Sequence, residues 1–222
     1  MAEQVGNYAD VEEDDGYGNA YVGFGNLLIA KSVDLVSLVM ILVMSVVIGS
    51  AVSSGDASSV PTMVSVAGVA AAVLALVSEV FQLVGLRQAS YDEPMYVNAA
   101  FWVAVAGIVL MVGGTVLGWT LLAGNEVATY IIHALDELVS FVVFGLAVYG
   151  IKDIAWELRE HDVERLAVNL LKVFAVAAAL SLVSLVSVNW LGSTAAIVGA
   201  FFEVAALILY IVLLVRARRM LV

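Results

Sequence analysis

Six long, almost uncharged apolar stretches constrain this chain more than any other feature. They run about Val33–Ala51, Val60–Leu86, Ala99–Leu122, Val127–Ile151, Leu166–Leu191 and Thr194–Val215. A bilayer core about 30 Å thick takes roughly 20 helical residues, so each stretch is long enough to span. The runs are continuously apolar and rich in Ala, Leu and Val, with no polar–apolar alternation. That pattern selects helices over barrel strands, because a helix satisfies its own backbone in hydrocarbon. The expected fold class is all-α integral membrane, with six transmembrane helices. No cleavable signal is expected, since the N-terminus is acidic where a signal would be basic and then apolar.

Composition excludes the main soluble alternatives. The 222 residues are 63% hydrophobic and 13% charged, against about 25% charged in an ordinary soluble domain. Nine Lys and Arg face twenty Asp and Glu, which leaves no basic footprint for nucleic acid. There is no cysteine, so disulfides, thiolate metal sites and cysteine nucleophiles are out.

The positive residues orient the map. Lys31, Arg87, Lys152, Arg159, Arg165, Lys172, Arg216, Arg218 and Arg219 all fall on one side of a six-helix arrangement. The loops at 53–59, 123–126 and 192–193 carry none. The positive-inside rule makes the basic side cytoplasmic, with both termini inside a cell membrane. Residues 1–26 hold Glu3, Asp10, Glu12, Glu13, Asp14 and Asp15 without a base and read as a solvated acidic tail. Residues 27–222 form the transmembrane domain. Such acidity also fits a high-salt cytoplasm, a halophile's. The segment from Lys152 to His161 reads either as an amphipathic helix laying Ile154, Trp156 and Leu158 on the bilayer or as a helix running past the surface.

An internal repeat is visible. Asn98 and Asn169 open the third and fifth spans 71 residues apart, and Trp119 and Trp190 follow at the same offset. From Asn to Trp is 21 residues, about 31 Å of helix, which places Asn at the inner interface and Trp in the outer aromatic belt. The even helices each hold one acid before an apolar residue, at Glu79, Glu137 and Glu203. The reading is three diverged helical hairpins, inserted the same way.

Those acids are the candidate chemistry. An ionisable group at the bilayer centre costs roughly 2.5–3.5 kcal/mol and needs a reason. Counted from the inner basic anchors, Glu79 lies about 12 Å deep, Glu137 about 22 Å and Glu203 about 20 Å. In the fourth span His133, Glu137 and Ser140 share a face, with Asp136 beside it. A histidine within one turn of two carboxylates can relay protons or hold a cation. It can equally serve as polar glue between helices. Glu203 and Glu79 lie on small-residue faces, which places them in helix contacts. Gly114, Gly118 and Gly199 read as packing positions, because small residues let helices approach closely in lipid. Ser181, Ser184 and Ser187 can donate to neighbours. Asp34, three residues after Lys31, reads as half of a surface ion pair.

No metal or cofactor is expected. Glu-x-x-His is absent and only one histidine is buried, which leaves zinc, di-iron and two-histidine haem sites without ligands. No nucleophile constellation points to an enzyme. The functional expectation is movement of protons or small cations through Glu137, Asp136, His133, Glu203 and Glu79. The alternative is a non-catalytic structural or regulatory subunit of a larger membrane complex. The implied partners are the lipid bilayer, a small cation or proton, and a second copy or other membrane subunits.

Overall fold

The computed structural model describes residues 16–53, 60–120, 126–186 and 190–222. Within those ranges the side chains at 52, 115–120, 126–130, 133, 136, 185–186, 190–193 and 196 lie outside the described set. The described chain is all helix and turn: α1 Gly18–Ser53, α2 Val60–Ala89, α3 Tyr96–Thr120, α4 Glu126–Glu157, α5 His161–Val186 and α6 Trp190–Met220. All six are long and apolar enough to cross a membrane. The chain is thus a multi-pass helical membrane protein by length and composition, as the apolar runs imply.

Each helix packs on the next in sequence, and α6 returns to α1, so the six close into a ring. The closest partnerships are α1 with α2, α5 with α6 and α3 with α4. Among the described residues, buried side chains are concentrated at one end, which carries the basic residues. Phe24 of α1, Leu86 of α2, Val97 of α3, Ile151 of α4, Leu170 of α5 and Leu213 of α6 are all buried there. Towards the far end the helices present apolar side chains outward, such as Val46, Val69, Leu76, Val109 and Phe201.

Between helices in hydrocarbon, association rests on close van der Waals approach more than on burial from water. The glycines that make such approaches are specific. At Gly23 an added Cβ would lie 2.6 Å from the Gly85 carbonyl oxygen, and at Gly85 one would lie 2.8 Å from that of Gly23. A Cβ on Gly107 would run into Val139, and one on Gly150 into Val97. Gly114 and Gly199 also face neighbouring helices, but with room: the nearest atoms belong to Ile132 and Leu180, both at 3.4 Å. The Gly118 side lies outside the described residues.

α1 begins inside the stretch read as tail. Gly18 to Asn26 are its first turns, and Ala20, Phe24, Leu27 and Ala30 form a buried stripe. The Gly- and Tyr-rich composition hid this, because helical stability here comes from packing on α2 and not from propensity. The start is also capped from another element. Asp92, in the turn after α2, accepts from the Ala20 amide at 2.6 Å and from the Asn19 side chain at 3.0 Å. Glu93 caps α3, accepting from the amides of Tyr96 at 3.1 Å and Val97 at 2.5 Å. Its side chain is buried at 5% exposure. α4 runs on through Glu157, so of the two readings of this segment the extended helix is the one observed. Ile154 is buried in the bundle and not laid on a bilayer, whereas Trp156 is exposed.

Candidate functional site

The ring leaves a space at its centre. A cavity of about 330 Å³ is lined from all six helices, including Lys31 and Asp34 of α1, Glu79 and Gln82 of α2, Ser140 of α4 and Glu203 of α6. Gly107 and Met111 contribute from α3, Phe174 from α5 and Tyr210 from α6.

The cavity rests on the packed core. Leu27, Leu86, Ala104, Ala147 and Tyr210 belong to both. One or two turns nearer the basic end stand Phe24, Ala89, Val97, Ile151 and Leu213, all buried. Packed, mostly apolar side chains therefore lie between the cavity and that end. An aromatic cluster braces the α4–α5–α6 side. Phe141 stacks on Phe174 at 5.1 Å, Phe144 tilts against Phe174 at 3.7 Å, and Phe144 meets Tyr210 edge-on at 4.7 Å.

Lys31 and Asp34 do form an ion pair, at 2.8 Å, but it faces this interior and not the outer surface. The reason is helical register: Leu27, Lys31 and Asp34 follow i, i+4, i+7, so the buried Leu27 brings the pair round to the same side. Glu79 also lines the cavity, with Gln82 one turn away. Glu203 keeps an exposed side chain on the cavity wall. It is not enclosed in a helix contact, although Ala206 and Tyr210 on the same face are buried at 2%. The small-residue face thus meets open space at Glu203 and protein on either side.

Glu137 is partly buried and accepts a hydrogen bond from the Ser181 hydroxyl across the α4–α5 interface. Ser184 donates to the Ser181 carbonyl at 2.7 Å. The structure brings Glu137 and Ser181 together and sets Glu79 on the same cavity as Glu203. His133 and Asp136 belong to α4, but their side chains lie outside the described residues, as does Ser187. Among the described residues no group of three His, Asp or Glu side chains is placed to hold a metal ion.

The sequence reading missed Lys31, Asp34 and Gln82 as cavity residues. The signal for the first two was their spacing from Leu27; for Gln82 it was the i, i+3 step from Glu79. No protein-family model, curated protein or solved structure matches the chain.

Proposed function

We propose that this is a cell-membrane protein with both termini in the cytoplasm, which moves protons or small cations through the central cavity. The observation that carries the reading is the charge of the lining, three carboxylates (Asp34, Glu79, Glu203) to one ammonium (Lys31). Such an imbalance in a low-dielectric setting favours a cation or a proton over an anion. Glu137, held by Ser181, extends the acidic set towards α5. His133 and Asp136, one turn and one residue before Glu137, belong to the same proposal. The mostly apolar packing between the cavity and its basic end would act as the gate in this reading, on the side that the positive-inside rule assigns to the cytoplasm. Transport then requires that gate to part, as alternation between two packings would allow.

The tighter pairing of α1 with α2, α3 with α4 and α5 with α6 supports three diverged hairpins. In each hairpin the second helix carries one acid: Glu79 and Glu203 line the cavity, and Glu137 is bonded to Ser181 at the α4–α5 interface.

The test is flux into liposomes holding the purified protein and a pH-sensitive dye, with an imposed proton or cation gradient. Wild-type protein should pass ions, and Glu137→Gln and Glu203→Gln should each abolish the flux while the protein stays folded. Unchanged flux in both variants overturns the assigned roles. A second reading, a non-catalytic subunit, draws on the exposed apolar faces of α1 and α2, from Val36 to Val47 and from Val64 to Leu76. It predicts a co-purifying membrane partner and no intrinsic flux.

A further inference from the structure

α5 carries a polar face on the outside of the bundle. His161, Glu164, Arg165, Val168, Asn169 and Lys172 line a shallow groove on it. Their spacing, i, i+3, i+4, i+7, i+8 and i+11, keeps them on one side of the helix. The opposite side carries Val163, Ala167 and Leu170, all buried against the bundle. Lys172 is 11 residues into α5, about 16 Å along it, so the groove runs from the helix start well into the span.

That placement leaves positive charge facing outward. His161 and Glu164 pair with each other at 3.4 Å. Among the described residues, no carboxylate lies within ion-pair distance of Arg165 or Lys172. A cation on the outer side of a spanning segment is costly without a counter-charge, and none of the described residues supplies one. Arg165 offers a planar fork of donors, Lys172 three donors and Asn169 an amide, about one and two turns apart. The group that meets all three at the membrane boundary is a phosphate attached to an acyl chain.

We infer that this face of α5 binds the headgroup of an anionic phospholipid, with its phosphate held by Arg165, Asn169 and Lys172 and its glycerol end against Val168. The inference rests on the membrane-spanning character of α5 and is independent of any ion flux.

The full chain, purified in a neutral detergent, is titrated with phosphatidylglycerol or phosphatidylcholine, and bound lipid is counted by native mass spectrometry. Wild type should retain phosphatidylglycerol in preference to phosphatidylcholine. The double variant Arg165→Gln/Lys172→Gln should bind phosphatidylglycerol about 30-fold more weakly, at roughly a factor of five for each basic residue near an anionic surface. Arg216→Gln/Arg219→Gln removes equal charge at the same end and should keep the preference. Equal retention of both lipids by wild type overturns the inference, as does a preference that survives in the α5 double variant or is lost equally in the α6 one. Binding of inorganic phosphate as tight as that of the lipid would mark a soluble-anion site and overturn it too.

Discussion

Replacing Gly23 by alanine places a methyl group where two helix backbones already meet. The new Cβ would lie 2.6 Å from both the Ala89 amide nitrogen and the Gly85 carbonyl oxygen, and 2.7 Å from the Ala89 Cβ. Comfortable carbon contacts begin near 3.5 Å, so α1 and α2 must separate by about 1 Å. Neither neighbour is the end of a flexible side chain, so no rotamer change relieves the clash. A gap of that size forfeits a quarter to a half of the dispersion attraction along the contact, and overpacking of this kind costs about 1–3 kcal/mol. The separation also stretches the Asn26–Gln88 hydrogen bond, now 2.5 Å, and the bond from Ser78 to the Ala30 carbonyl, now 3.2 Å.

For a chain of this size a loss of about 2 kcal/mol lowers the melting temperature by about 4–8 °C. Gly199→Ala and Gly114→Ala are the matched controls. Their new methyl groups would meet Leu180 and Ile132 at 3.4 Å, an ordinary contact, and alanine is the better helix former by about 1 kcal/mol. They should melt at or above the wild-type temperature. Heating the detergent-solubilised variants while following tryptophan fluorescence separates the two classes. A Gly23→Ala variant as stable as wild type, or a Gly199→Ala variant equally damaged, refutes the claim that α1–α2 backbone contact holds the basic end together.

Three further outcomes follow from the same end of the molecule. Arg159 has φ 61° and sits at the left-handed position of a C-terminal cap, where the Glu160 amide bonds the Ala155 carbonyl at 2.8 Å and the Arg159 amide that of Trp156 at 3.1 Å. Arg159→Gly should therefore raise stability by about 1 kcal/mol, a melting shift of about 2–4 °C that Arg159→Ala does not reproduce. Glu93→Ala removes the buried acceptor of two α3 amides and should cost about 2 kcal/mol, with Glu93→Gln between it and wild type in the same melting assay. Tyr17 donates to Glu157 at 2.5 Å; that bond, with burial and the nearby carboxylates of Glu157, Asp92 and Asp153, pushes its phenol up to about 12 from 10.0. Because the folded value is the higher one, the stability tied to this proton is whole below about pH 10 and is lost as pH rises towards 12. The phenolate absorbance difference between wild type and Tyr17→Phe should titrate near 12, and a midpoint near 10 would count against the bond.

Helical periodicity identifies which residues share a face, but not what that face meets. That limit decides which parts of this protein could be read from its sequence. The six helices were legible because length and unbroken hydropathy are local properties. The start of α1 was not, since its cap comes from Asp92 and its support from Gly85, both more than 60 residues away. Gly114-x-x-x-Gly118 stood out as a pattern, yet among the described glycines the tightest approaches fall at isolated Gly23, Gly85, Gly107 and Gly150, each set by its particular neighbour. Glu93 went unread, although an acid followed by Pro94 before an apolar run marks a helix start. Glu203 shares a face with two buried residues, and only the closure of six helices into a ring turns that face towards a cavity. Lys31 makes the same point from the other direction. Measured from the first uncharged residue it looked superficial; measured from Leu27, four residues earlier on the same face, it had to turn inward and take Asp34 with it. A charge's distance from the end of an apolar run is thus a weaker guide to its surroundings than the burial of the apolar residue one turn away.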